Sequence, residues 1–76
     1  DVVSEYEQKE FLTMLNRFLY SLPERERNIF ILRYFYMDST KDIAIAHSIK
    51  ESNVLMILSR TRKKLKETLE REGYTI

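Results

Sequence analysis

The sequence predicts an all-α domain of four helices, the last two forming a helix-turn-helix. Three observations predict it. Apolar residues recur at three- and four-residue steps, and strand-like alternation is absent. The single Gly and single Pro, Gly73 and Pro23, fall where elements should end. From Asp42 to Arg62 the chain reads as a short helix, a tight break and a second helix running into a basic tail. Ile43-Ala44, a break near Ser48-Ile49, then Asn53-Val54 and Leu58 is the spacing of two short helices crossing steeply. Ala44 supplies the small residue at the crossing, with Ile43, Ile49, Val54 and Leu58 as apolar pins from both sides. The second helix of such a pair is built to lie in the DNA major groove.

The first helix is expected to begin near Ser4, with Glu5 and Glu7 in the first turn, where the helix dipole favours acids. Its inner face is Phe11, Leu12, Leu15, Phe18, Leu19 and Leu22. Ser21-Leu22-Pro23 breaks it, and Pro23 suits the first position of the second helix, where its missing N–H costs nothing. That helix, Glu24 to about Tyr36, turns Ile29, Phe30, Leu32 and Phe35 inward. After Met37-Asp38-Ser39, Ser39 with Asp42 three residues on resembles a capping box and starts the third helix, which ends near His47. Ser48-Ile49-Lys50 forms the turn, and the fourth helix spans about Glu51 to Glu72, stopped by Gly73. Ile31, Leu55 and Ile57 do not fit the expected inner faces. The helix-turn-helix occupies about 39–66, within one domain covering 1–76.

A chain of 76 residues buries only about 60% of its unfolded surface, so its stability is marginal. Without Cys it has neither disulfides nor thiolates for zinc, and the composition fits a reducing cytosol. No apolar run is long enough to span a membrane, and no basic-then-apolar leader is present. The opening Asp1 in place of Met suggests a piece of something longer. Enzyme chemistry has little to work with. His47, the single His, sits at a helix end, and no Gly-rich loop can cradle a phosphate. In Glu24-Arg25-Glu26-Arg27 neighbouring side chains point apart, so no carboxylate pair forms. Asp38 and Asp42 come near each other, but capping accounts for Asp42. The cluster Phe30, Tyr34, Phe35 and Tyr36 reads as helical core packing rather than a stacking platform for single strands, which needs a sheet or groove.

Net charge is only +1, but it is unevenly spread. Residues 1–42 carry a net −2 and residues 43–76 a net +3, with six of the latter's seven bases between Arg60 and Arg71. A basic patch on one helix is an electrostatic footprint for phosphates; an ordinary solvated face is the other reading. Leu55-Met56-Ile57 is the odd feature. Successive residues turn by about 100°, so at least one of the three must face outward. It touches a thymine methyl, meets a protein partner, or is a tolerated exposed residue.

With these pieces placed, the chain resembles region 4 of bacterial RNA polymerase sigma factors, most closely the extracytoplasmic-function type. The resemblance is carried by Leu22-Pro23-Glu24-Arg25-Glu26-Arg27, Ile31-Leu32-Arg33-Tyr34-Phe35, Ser39-Thr40-Lys41-Asp42-Ile43-Ala44, Ser52-Asn53-Val54 and Leu58-Ser59-Arg60-Thr61-Arg62-Lys63-Lys64-Leu65. It covers roughly Leu12 to Gly73, and the combination in this order is specific.

The resemblance implies binding to the promoter −35 element of double-stranded DNA and docking on the β flap of the RNA polymerase core. It also implies a separate region 2 that melts the −10 element. Residue by residue, Arg33 matches a phosphate-contacting arginine, and Thr40 and Lys41 match positions near the DNA backbone. Ser52, Asn53, Leu55, Met56, Ser59 and Arg60 match the groove-facing surface, with Arg62, Lys63 and Lys64 as backbone neighbours. Family members commonly have Gly where Ser48 stands and Ser where Lys50 stands. They usually have Lys or Arg where Leu55 sits, and frequently another base where Ile57 sits. Apolar Leu55 and Met56 imply some preference for A·T pairs. No cofactor, metal or membrane is implied; a cytoplasmic monomer is expected. The rival expectation is a sigma-like protein-interaction module, in which Leu55-Met56-Ile57 docks a partner such as an anti-sigma factor.

Overall fold

A computed structural model describes residues 2–74, with side chains from residue 4. It is all-helical: α1 (Val2–Ser21), α2 (Glu24–Tyr34), α3 (Thr40–His47) and α4 (Glu51–Arg71). Among the described residues no helix is long and apolar enough to cross a membrane.

Local chemistry sets most of the boundaries. α1 starts two residues earlier than expected, at Val2, and Glu5 remains its first-turn acid. Pro23 sits one place before the expected position: it is the N-cap of α2, and its carbonyl accepts the first helical bond from Arg27 N–H at 3.0 Å. At the start of α3 the Ser39 hydroxyl accepts from Asp42 N–H at 3.0 Å, which satisfies an otherwise orphaned donor. α3 and α4 both end on a left-handed residue. Ser48, with φ 55°, directs Ile49 N–H to Ala44 O and its own N–H to Ile45 O. Gly73, with φ 87°, does the same for Tyr74 to Leu69 O and Gly73 to Glu70 O. This pair of bonds is the Schellman arrangement, for which Gly is preferred because a Cβ is disfavoured there. Lys50 is the N-cap of α4 and makes no side-chain cap bond.

α2 joins two core clusters through adjacent residues. Ile29 packs with Ile43, Ala44, Val54, Ile57 and Leu58, with Leu32 and Ile49 at the edge. Phe30 packs with Phe18, Leu19 and Leu22, with Leu15 and Leu65 at the edge. The first cluster holds the helix-turn-helix together; the second fastens α1. Buried Thr61 donates its hydroxyl to Ile57 O at 2.7 Å, so the core of α4 tolerates it.

Four expectations about the inner faces are corrected. Phe35 is 56% exposed: it is the C-cap of α2, its N–H still donating to Ile31 O at 2.9 Å, and neither core cluster reaches it. Phe11 and Leu12 are also exposed, while Met14 is buried. The molecule measures 44 × 22 × 20 Å, and neither core cluster takes a residue from the N-terminal half of α1, which lies beside Glu72 and Tyr74. Phe11 there packs in a T-shaped contact with Tyr74, with ring centroids 5.4 Å apart. Ile57, expected off the inner face, is 5% exposed and belongs to the first cluster.

Candidate nucleic-acid interface

α4 carries two stripes of opposite character. Val54, Ile57, Leu58 and Thr61 are buried, and Leu65 follows them at the same spacing, partly buried against Phe18, Leu19, Leu22 and Phe30. Ser52, Leu55, Met56, Ser59 and Lys63 are all exposed and recur at three- and four-residue steps, which places them on the opposite face. The helix is held by its buried stripe against α2 and α3, so the exposed stripe is fixed in orientation by the core. Of the Leu55-Met56-Ile57 run, Ile57 points in, and Leu55 and Met56 stay about half exposed, at 52% and 51%.

The other site residues group around this stripe. Asn53, Arg60 and Lys64 share one flank of α4 by helical spacing, with Asn53 partly buried. Glu26 of α2 faces that flank, its carboxylate 3.9 Å from Arg60 Nη2 and 4.0 Å from Lys64 Nζ. Both bases are more than half exposed, so these ion pairs are weak and screened. Arg62 lies on the other flank and donates from Nη1 to the Tyr34 hydroxyl at 2.7 Å. Tyr34 is itself tilted against Phe30, with centroids 4.7 Å apart.

A second group gathers at the N-terminus of α3. Arg33, partly buried at the end of α2, donates from Nη1 to Asp38 O at 3.1 Å and so braces the loop that leads to the Ser39 cap. A guanidinium has five N–H donors, so this bond leaves Arg33 able to hold an anion as well. Thr40 donates its hydroxyl to Glu51 Oε2 at 2.6 Å, tying the start of α3 to the start of α4. Lys41 is exposed beside it. The sequence-predicted residues therefore fall into two groups, Arg33, Thr40 and Lys41 about the start of α3 and the others along α4, linked by the Thr40–Glu51 hydrogen bond. Asn53 and Arg62 sit at the margins of the α4 group, since one is half-buried and the other engaged by Tyr34.

Two acids beside these residues escaped the sequence reading. Glu51 is drawn in by Thr40, eleven residues away across the turn, a spacing the helix-turn-helix pattern already contained. Glu26 is 34 residues from Arg60, and nothing local in the sequence signals that pair. Among the described residues, no group of three or more His, Cys, Asp or Glu side chains is placed to hold a metal.

Between α2 and the C-terminal half of α4, Phe30, Tyr34, Leu65 and Leu69 line an apolar groove of about 330 Å³, together with Arg62 and Lys66. It opens beside the C-terminal half of α4, beyond the two turns that carry Ser52, Leu55, Met56 and Ser59.

Comparison with known proteins agrees with this fold. The family model for sigma-70, region 4, matches residues 18–67, which include all of α2 and α3 and most of α4. The RNA polymerase sigma factor SigF of Mycobacterium tuberculosis, from two strains, is 33% identical over 70 residues. That alignment covers 92% of this chain and 27% of the relative, so the chain spans about a quarter of the curated proteins it matches. No solved structure gives a match. Region 4 is a DNA-binding, non-catalytic domain family. With its four helices, its capped helix-turn-helix and this match over most of its length, the chain belongs to the sigma-70 region 4 family.

Proposed function

We propose that this chain recognises the promoter −35 element, with the first two to three turns of α4 entering the major groove. The observation that carries this reading is the exposed stripe Ser52, Leu55, Met56, Ser59 and Lys63 on the second helix of the pair, bordered by Arg60 and Arg62. Arg33, Thr40 and Lys41 hold phosphates at one edge of the groove, and Arg62 and Lys63 hold them at the other. These contacts fix register and orientation, while the few groove-facing side chains choose the sequence. Asn53 and Arg60 complete the reading surface; Arg60 has the fork geometry for a guanine edge once it turns from Glu26.

The same reading makes the domain part of an extracytoplasmic-function type sigma factor that docks on the β flap of RNA polymerase. The apolar groove of Phe30, Tyr34, Leu65 and Leu69 suits that docking, because an occupant there leaves the reading stripe free. Promoter DNA and core polymerase are then bound by neighbouring surfaces of one monomer, with Arg62 at their border. An isolated domain binds duplex weakly, since the remaining contacts that raise avidity lie elsewhere in the holoenzyme.

Half-exposed Leu55 and Met56 favour one second reading, a docking face for a partner protein such as an anti-sigma factor. The two are separated by selecting from a random duplex pool across a salt series, beside the Arg60→Ala/Arg62→Ala double variant and Leu55→Glu. DNA recognition gives an enriched short motif, affinity that falls steeply with salt, and loss in the double variant. No enrichment, or binding the double variant retains, contradicts it and leaves the protein-docking reading, which responds to Leu55→Glu and hardly to salt.

A further inference from the structure

We infer that Leu55 and Met56 form a methyl-reading pair, selecting thymine by its C5-methyl group at the centre of the site. This deepens the DNA-recognition proposal and rests on it. Between Ser52 and Ser59 the outward face of α4 bears no charged group: only two hydroxyls with Leu55 and Met56 between them. By helical spacing the two apolar residues lie on either side of the line from Ser52 to Ser59, so they face adjacent positions in a groove. A guanine edge offers two acceptors and wants a fork of donors, which no side chain on this part of the stripe supplies. Thymine offers one acceptor and a methyl, which match a serine hydroxyl and an apolar side chain.

Three further observations fit a partner of this chemistry. Ile57 is in the core, so the apolar run presents two side chains outward rather than a broad patch. The Thr40 hydrogen bond engages the Glu51 carboxylate at the α3 side of the stripe. Bases lie on both flanks and beyond, with Arg60 and Lys64 on one, Arg62 on the other and Lys63 after Ser59. An apolar pair inside a basic surround is complementary to methyl groups lying between two phosphate strands.

The test uses one chemical change that leaves hydrogen bonding untouched. The motif enriched by this chain from a randomised duplex pool is synthesised with thymine and with uracil at each A·T pair. Binding is measured for the wild type and for Leu55→Ala, Met56→Ala and the double variant, with circular dichroism confirming that each is folded. The wild type should lose about fourfold in affinity for each contacted methyl removed, the ratio for one buried CH₂ group. The double variant should bind thymine and uracil duplexes alike. Equal wild-type affinity for both duplexes, an enriched motif without central A·T pairs, or a thymine preference that survives in the double variant would each overturn the inference and leave DNA recognition standing. Failure to bind any duplex would instead remove the DNA-recognition reading itself, and this inference with it.

Discussion

Leu55 and Ile57 are two residues apart on α4 and should respond very unequally to truncation. Ile57 is 5% exposed among Ile29, Ile43, Val54 and Leu58, whereas Leu55 is 52% exposed. Ile57→Ala removes three buried carbons and leaves a cavity, a change that costs roughly 2–5 kcal/mol. A chain of this length has a total stability of roughly 4–11 kcal/mol, at ~0.05–0.15 kcal/mol per residue. The variant therefore gives up a large share of its stability. Each kcal/mol moves the midpoint of a domain this small by about 4–8 °C, so Ile57→Ala should melt at least about 8 °C lower. Leu55→Ala should stay within about 0.5 kcal/mol of wild type, since a surface change loses little and alanine favours helix. Thermal and urea melts followed by far-ultraviolet circular dichroism measure both. Equal destabilisation by the two substitutions, or a larger loss at Leu55, would refute the rotational register of α4. The reading stripe would then be misassigned too, because the same register sets both faces.

Ser39→Ala removes the side-chain cap of α3 and should cost about 1 kcal/mol in a urea melt, an effect absent from Ser52→Ala. Ser48→Gly relieves a left-handed residue and should raise stability by up to about 1 kcal/mol, seen as a higher melting midpoint. Glu26→Gln frees Arg60 and Lys64 from a competing carboxylate, so duplex affinity at low salt should rise roughly two- to fivefold in fluorescence anisotropy. Unchanged or weaker binding by that variant would show that these bases do not contact DNA. Replacing Arg62 and Lys63 together by Ala should reduce the slope of log affinity against log salt by about two, one for each phosphate no longer neutralised.

What could be read in the sequence was what depends on neighbours along the chain. Ser39 and Asp42 announced a cap, Gly73 a stop, and Ile43, Ala44, Val54 and Leu58 a crossing of two helices; all of these stand in the structure. The Ser48 turn was legible in position, although its left-handed backbone sits on a residue that rarely takes it. What could not be read depends on how far each helix is covered by the others. Periodicity alone placed Phe11 and Leu12 with Phe18 and Leu19, but only the C-terminal half of α1 meets Phe30. Phe35 keeps the spacing of a core residue yet lies just past the last turn of α2.

The candidate site divides in the same way. Ser52, Leu55, Met56, Ser59 and Lys63 share a face by helical arithmetic, which needs only the start of α4. The partners that tune the bases come from another helix: Glu26 for Arg60 and Lys64, and Tyr34 for Arg62. Ile57 shows the limit of pattern reading most clearly. It sat in an apolar run that looked anomalous; α2 and α3 close over Ile57, while Leu55 and Met56 stay exposed as the run required of at least one of its members.

The central claim is that the outward face of α4 meets DNA while the groove beside α2 does not. The most direct measurement is amide chemical-shift mapping of this chain with a duplex selected from a random pool. The account predicts the largest shifts at Thr40, Lys41, Ser52, Leu55, Met56, Ser59 and Lys63, with Phe30, Leu65 and Leu69 nearly silent. Shifts concentrated at Phe30, Tyr34, Leu65 and Leu69, with the α4 stripe unmoved, would contradict it.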